Sequence, residues 1–279
     1  MNLDAASLFS VEGKTVVLTG ASGFLGSNFA ETLLANGARV IALGRSAKLE
    51  TLIAKWEAAY GSHSVRGYML DMHDTARLRN TFSEIADQEA RIDVLINNAH
   101  ELGTATGFNT PSGSLESSTL DQWMKNLAGG VLWPVLAVQA LGTKMKEQQK
   151  GSIINICTMY AAVAPSPELY EGTDFLNPPG YSASKAALLS FTRYVASYWG
   201  KYNVRANAIL PGPFSNTDYS GPNSVPQDSP FLQKLRNRTC LKRVGRPNEL
   251  AGALLFLASD ASSFMTGQAV IVDGGWTVT

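Results

Sequence analysis

The sequence predicts an α/β fold: a doubly wound parallel sheet of about seven strands with helices on both faces, in a single domain over residues 1–279. Three observations lead there. Continuous aliphatic runs recur along the chain, helical stretches alternate with them, and a glycine-rich turn lies between the first run and the first helical stretch. The runs are Thr15-Val16-Val17-Leu18, Val40-Ile41-Ala42-Leu43, Val94-Leu95-Ile96, Ile153-Ile154-Asn155-Ile156 and Ala269-Val270-Ile271-Val272. They are continuous rather than alternating, as strands covered on both faces should be. Helical patterns cover 24–35, 120–148, 182–199 and 248–258 and supply the crossovers that parallel neighbours require.

Two segments break the alternation. Residues 211–230 read PGPFSNTDYSGPNSVPQDSP, and a loop of that length in a compact domain points to a lid, with a disordered connection as the plainer alternative. Residues 164–180 hold four prolines and also read as loop. The single domain therefore carries two candidate substrate-side loops, 159–180 and 211–231.

Composition narrows the function classes. A chain of 279 residues, 45% hydrophobic, can bury one sizeable core. Its 23 basic and 23 acidic residues balance, which argues against a nucleic-acid partner. The three histidines show no metal-ligand spacing, so no metal is expected. Cys157 and Cys240 show no pairing pattern; this suits a reducing compartment, and a disulfide between them stays open. The N-terminal residues lack the apolar stretch of a signal peptide, and the apolar run at 131–138 is too short to span a bilayer. A cytoplasmic protein without a membrane partner is expected.

The first aliphatic run leads directly into Thr19-Gly20-Ala21-Ser22-Gly23-Phe24-Leu25-Gly26. Glycines at a strand exit allow a tight turn and close backbone approach to a pyrophosphate, and the helix N-terminus that follows offers free N–H groups to it. The G-x-x-G-x-x-G spacing differs from the general dinucleotide fingerprint, and an ordinary glycine turn is the competing reading. At the end of the second strand stands Leu43-Gly44-Arg45-Ser46, without the carboxylate that would bind the ribose diol of NAD. Arg45 can instead form charge-assisted bonds to a 2′-phosphate. NADP(H) is the favoured cofactor and NAD(H) stays open; Arg45 as a solvated surface charge is the alternative.

With these pieces in place, the chain from Lys14 to Trp276 resembles the short-chain dehydrogenases/reductases. The resemblance is carried by the glycine turn, Asp71-Met72, Asn97-Asn98-Ala99-His100, Asn126, Tyr181-Ser182-Ala183-Ser184-Lys185 and Pro211-Gly212. Arg246-Pro247 to Gly252 and Thr266-Gly267 to Val272-Asp273-Gly274-Gly275 add to it. It implies a Rossmann-type fold in which Gly20, Ser22, Gly23, Phe24, Leu25, Gly26 and Arg45 hold the dinucleotide. Asp71 and Met72 would frame the adenine, Asn98 and Ala99 line the cleft, and Pro211, Gly212 and Phe214 lie beside the nicotinamide. Two features depart from the pattern. His100 stands where the family commonly has glycine, either filling part of the cleft or simply packed. The glycine spacing looks like the branch containing sugar-nucleotide epimerases, although the rest looks like the single-domain branch.

The chemistry expected is proton transfer coupled to hydride transfer. Tyr181 and Lys185 are four apart on a predicted helix and so share a face. A nearby ammonium favours the phenolate, so Lys185 is expected to lower the Tyr181 pKa toward the working range. The resemblance also gives Lys185 the nicotinamide ribose to hold. Counting through Asn155-Ile156-Cys157-Thr158 puts Thr158 at the position of the family's catalytic hydroxyl, where it can donate to a carbonyl oxygen. Asn126 matches the helix asparagine of the family's proton relay. Cys157 has no base partner and reads as a packed small hydrophobe.

Between Thr158 and Tyr181 lie 22 residues, more than the family's short spacing, including Glu168, Tyr170, Glu171, Thr173, Asp174 and Asn177. Such a set can hydrogen-bond a polyhydroxylated substrate, and its acidic members would disfavour anions. The segment is similar to members linked to surface-polysaccharide or flagellin sugar modification and to the gluconate 5-dehydrogenase kind. A sugar or sugar derivative is the expected carbonyl or alcohol substrate, against a solvated loop that serves a simple ketone or packs a subunit interface. The resemblance implies a homotetramer, or a homodimer, built through the helix after Tyr181 and the strand ending at Gly275. Two other functions compete: a non-catalytic NADP(H)-binding sensor or scaffold on the same fold, and a sugar-nucleotide epimerase or dehydratase. Against the latter stands the short remainder after the lid.

Overall fold

Seven strands form one sheet in the order β3-β2-β1-β4-β5-β6-β7, and every neighbouring pair is parallel. They are β1 (Thr15–Thr19), β2 (Arg39–Gly44), β3 (Val65–Met69), β4 (Val94–Asn97), β5 (Gly151–Ile156), β6 (Val204–Pro211) and β7 (Ala269–Val272). The computed structural model describes residues 4–173, 175–215 and 225–279. The lid reading of 211–230 falls in part on 216–224, and Asp174 belongs to the polar loop set; residues 216–224 and Asp174 lie outside the described residues.

The five aliphatic runs are all strands. β3 and β6 carried no such run, for two different reasons. β3 reads Val-Arg-Gly-Tyr-Met and lies at the sheet edge, half-buried, where polar residues are tolerated. β6 is interior but holds Asn207, whose amide donates to the Met265 carbonyl (2.8 Å) and accepts from the Gln268 N–H (3.0 Å). A fully partnered amide can sit inside a sheet without cost in unsatisfied polar atoms.

The helices are α1 (Ala5–Leu8), α2 (Phe24–Ala35), α3 (Lys48–Tyr60), α4 (Thr75–Gln88), α5 (Leu120–Glu147), α6 (Pro179–Trp199), α7 (Pro230–Arg238) and α8 (Ala251–Ala258). Successive residues of β1 point to opposite faces. Val16 and Leu18 join Phe29, Leu33, Trp56 and Leu254 on one side, and Val17 joins Phe82, Trp133, Leu141 and Val195 on the other. Both faces are thus covered, which is why the strands read as apolar throughout.

α5 begins with a reciprocal cap. The Gln122 N–H donates to Thr119 Oγ1 (3.2 Å) and the Thr119 N–H to Gln122 Oε1 (3.0 Å). It then runs through two π turns, Ala128–Leu132 and Val138–Gly142, where the sequence had indicated one regular helix. Glycines in both turns admit α6. A Cβ on Gly130 would lie 2.3 Å from Ser184 Oγ, and one on Gly142 would lie 2.5 Å from the Trp199 ring. By length and composition α5 passes for a membrane span, but 56% of its apolar window is buried and it packs against α4 and α6 as a core helix.

Gly130→Ala should therefore destabilise the protein by about 1–3 kcal/mol, because Ser184 is fully buried and has no room to give way. Thermal unfolding should read this as a fall in Tm of several degrees. An unchanged Tm would contradict the close α5–α6 packing. α6 itself starts at Pro179, earlier than the pattern suggested, because proline is well suited to the first helical position. Tyr181 consequently sits in the first turn of α6.

Candidate active site

The strand order reverses at β1, which is flanked by β2 and β4; in open parallel sheets the crevice for a ligand lies at the carboxyl ends of the strands there. The glycine turn occupies that point. Gly20 has φ +67°, and a Cβ on it would meet Ala99 Cα at 2.9 Å, so only glycine fits without strain. A Cβ on Gly26 would lie 2.1 Å from the Gly20 carbonyl oxygen. Gly23 is the N-cap of α2 and brings no capping side chain, so the N-terminus of the helix meets the turn through backbone alone. This cradle fits a pyrophosphate.

Asn98 proves to be a brace for the turn. Its amide donates to the carbonyls of Thr19 and Gly20 (both 3.1 Å), while its own N–H and that of Ala99 donate to Thr19 Oγ1 (3.0 and 3.1 Å). Beside the turn, Ser22 Oγ and Ser46 Oγ are 3.3 Å apart. Arg45 donates to Glu101 (3.0 Å), which also pairs with His73 Nε2 (2.7 Å). Burial opposes ionisation of Glu101, but the hydrogen bonds from His73 and Arg45 prevail and hold its pKa below the usual range. Asp71 accepts from the His73 N–H (3.0 Å) and Met72 is buried, both just beyond the end of β3. Neither Glu101 nor His73 was indicated by the sequence, because only the fold brings the ends of β2, β3 and β4 together.

At the other end of the crevice Thr158 follows β5 and faces Tyr181. Tyr181 is flanked edge-on by His100 (4.9 Å between ring centroids, 76°) and by Phe108 (5.1 Å, 74°). Burial pushes its pKa up to about 12, against a hydrogen bond from Thr158 that works the other way. The expected lowering by Lys185 is therefore not realised. The Lys185 Nζ lies 6.0 Å from the Tyr181 ring centroid and donates to the Ile156 carbonyl (2.8 Å), and burial has the larger effect. The same burial depresses Lys185 to about 8.

Asn126 is 1% exposed and donates to the carbonyls of Thr106 (2.8 Å) and Gln122 (2.9 Å), with its Oδ1 3.4 Å from His100 Nε2. Burial and the Lys185 charge push His100 down to about 3, so it is neutral at working pH. The Cys157 thiol, raised to about 12 mainly by burial, is not a nucleophile at neutral pH, and both cysteines are free thiols.

A buried polar chain fixes the height of α6 on the sheet. Asn97 donates to Asn155 (2.8 Å), Asn155 to Thr192 Oγ1 (2.8 Å), and Thr192 to the Leu188 carbonyl (2.9 Å). The residues after β6 close the same end. The Gly212 N–H donates to the Val272 carbonyl (2.9 Å), and a Cβ on Gly212 would lie 2.4 Å from Asp273 Cα. Phe214 packs against Gly245, so Pro211, Gly212 and Phe214 form one rigid wall.

Of the 159–180 segment, the described residues pack in part against α7. Phe175 stacks on Phe231 of α7 (4.2 Å, 13°), Tyr160 Oη lies 3.3 Å from Tyr170 Oη, and Lys234 donates to the carbonyls of Glu168 and Glu171 (2.8 and 2.6 Å). The Glu168 and Glu171 residues are exposed, and the Thr173 hydroxyl is spent on the Tyr170 carbonyl (2.9 Å). Of the described members of the polar set expected there, Asn177 is the one with a buried acceptor, Oδ1, that has no partner. Among the described residues no cluster suited to a metal ion occurs.

Residues 20–277 match a family model described as "Enoyl-(Acyl carrier protein) reductase", one of the short-chain dehydrogenase/reductase models. A sorbose reductase from Schizosaccharomyces pombe is 32% identical over 272 residues, covering 97% of this chain and 98% of its own length. The crystal structure of a gluconate 5-dehydrogenase from Burkholderia cenocepacia, in complex with NADP and tartrate, is 27% identical with a TM-score of 0.82, covering 99% of this chain and 100% of that one. A short-chain dehydrogenase from Leptospira borgpetersenii with bound NAD+ is 29% identical with a TM-score of 0.81, covering 99% and 97%.

Proposed function

The chain belongs to the short-chain dehydrogenase/reductase family, and from that premise we propose that it is an NADP(H)-dependent oxidoreductase interconverting a ketone and a secondary alcohol on a sugar or sugar derivative. The observation that carries this reading is the meeting of the Thr158 and Tyr181 hydroxyls at the end of β5, beside Lys185 and in line with the crevice. The relatives quoted act on sorbose and gluconate by name, which supports the substrate class.

The dinucleotide would lie across Gly20, Ser22, Gly23, Phe24, Leu25 and Gly26, with Arg45 and the paired hydroxyls of Ser22 and Ser46 at a 2′-phosphate. Asp71, Met72 and Ala99 would border its adenosine half, and Pro211, Gly212 and Phe214 its nicotinamide half. Bound NADP(H) supplies or accepts the hydride. Thr158 and Tyr181 hold the substrate oxygen between two hydroxyl donors, and Tyr181 gives it a proton as negative charge develops there. Lys185 carries the positive charge that steadies the phenolate left behind. Asn126, held by two carbonyls, fixes the loop at Thr106 and with it the Phe108 face of the site. Oxidation runs these proton movements in reverse.

A sensor or scaffold would bind cofactor without turnover. A panel of ketoses, sugar acids, polyols and simple ketones, followed by nicotinamide absorbance, separates the two: the enzyme reading expects NADPH oxidation with a polyhydroxylated ketone. Binding of NADPH without turnover of any panel member would favour the sensor. A cytoplasmic homotetramer or homodimer is proposed as well. Exposed apolar side chains on α5 (Leu120, Met124, Leu132) and α6 (Tyr194, Tyr198), and Ile271 and Val278 near the C-terminus, support self-association.

A further inference from the structure

We propose that Glu101 sets the cofactor preference, by competing with a 2′-phosphate for Arg45 and by offering NAD(H) the carboxylate that the end of β2 lacks. The inference rests on the reading of Arg45 as the 2′-phosphate residue. Arg45 follows the last residue of β2, and Glu101 stands four residues beyond the end of β4. Those strands flank β1 on either side, so the 3.0 Å Arg45–Glu101 ion pair crosses beside the phosphate turn, at the adenosine end of the crevice.

The two partners differ in freedom. The Glu101 side chain is 14% exposed and is gripped from behind by His73, which in turn lies edge-on to the buried Trp133 ring (4.9 Å, 80°). The Arg45 side chain is 56% exposed and is the arm that can swing. Glu101 is therefore a fixed carboxylate and Arg45 an adjustable cation.

The consequences for the two cofactors are opposite. A 2′-phosphate bound by Arg45 must displace Glu101 from the guanidinium and then sit beside an anchored anion, and like charges at this separation repel. A ribose diol carries no charge and can donate directly to the same carboxylate. Arg45 thus draws NADP(H) and Glu101 draws NAD(H), and preference is the difference between two affinities.

Binding constants for NADPH and NADH, measured by calorimetry on the purified protein, test this without relying on turnover. Glu101→Gln keeps the shape and removes the charge; it should tighten NADPH about five- to tenfold and weaken NADH severalfold. Glu101→Asp, which keeps the charge, should stay nearer the wild-type ratio. Arg45→Met should weaken NADPH about tenfold and leave NADH within about twofold. If Arg45→Met weakens NADPH but Glu101→Gln leaves the ratio unchanged or lowers NADPH affinity, the inference is overturned while the Arg45 reading stands. If Arg45→Met leaves NADPH binding untouched, both fall. All three variants should remain folded, with melting temperatures within several degrees of wild type, since Arg45 is largely exposed and each replacement at Glu101 stays polar.

Discussion

Tyr181→Phe should lower kcat for ketone reduction by about three orders of magnitude while leaving NADPH affinity within about twofold. The substitution deletes one hydroxyl and keeps the ring that His100 and Phe108 hold edge-on, so the helix turn and the packing survive. What is lost is the proton donor at the substrate oxygen, since the Thr158 hydroxyl can bind that oxygen but is a far weaker acid than the phenol. With its pKa near 12, Tyr181 is protonated throughout the neutral range, the form that reduction needs. Oxidation needs the phenolate, whose fraction grows about tenfold per pH unit below that value. kcat/KM for the alcohol should accordingly climb with pH where that for the ketone stays flat. Turnover by Tyr181→Phe comparable to wild type would remove the tyrosine from the mechanism.

The second large effect concerns Lys185. Its pKa falls from 10.5 to about 8 on burial, so the unfolded chain binds more protons between those values and stability should rise with pH across that window. Below about pH 8 the buried ammonium costs about 3 kcal/mol. Lys185→Met removes that cost and leaves the Ile156 carbonyl without its donor, a loss of about 1–3 kcal/mol. The two nearly cancel, so Tm at pH 7 should stay within a few degrees of wild type, while kcat drops by about a hundredfold or more. Urea titrations at about pH 8 and 10.5, the edges of that window, should show the stability rise in wild type and its absence in the variant. A variant that unfolds outright, or one that keeps its activity, would mean Lys185 serves packing rather than chemistry.

Most of the fold could be read from local patterns because doubly covered strands declare themselves as aliphatic runs. β3 and β6 could not, since one is an edge strand with Arg66 and Tyr68 and the other buries Asn207 through partners 58 and 61 residues away. The π turns of α5 were equally hidden, because Gly129, Gly130 and Gly142 acquire meaning only against His100, Ser184 and Trp199 on other elements.

The candidate site divides the same way. Tyr181, Lys185, Thr158 and the glycine turn were legible as motifs with a chemical reason for their spacing. The direction of the Tyr181 pKa was not, because it depends on burial under Phe108 and His100 rather than on sequence distance to Lys185. Of the Glu101–Arg45–His73 cluster only Arg45 was legible, as Glu101 and His73 reach it from the ends of different strands. For Asn98, read as a cleft residue, the sequence left out a second feature: its side chain holds the carbonyls of the turn.

The central claim is that the hydroxyls of residues 181 and 158 act on a substrate oxygen next to a nicotinamide held in the crevice. The most direct measurement is a crystal structure of the protein with NADP+ and a polyol product. The account predicts the nicotinamide against Pro211 and Gly212, with the reacting hydroxyl oxygen within about 3 Å of both Tyr181 Oη and Thr158 Oγ1. A nicotinamide seated elsewhere, or a product oxygen out of reach of those two hydroxyls, would contradict it.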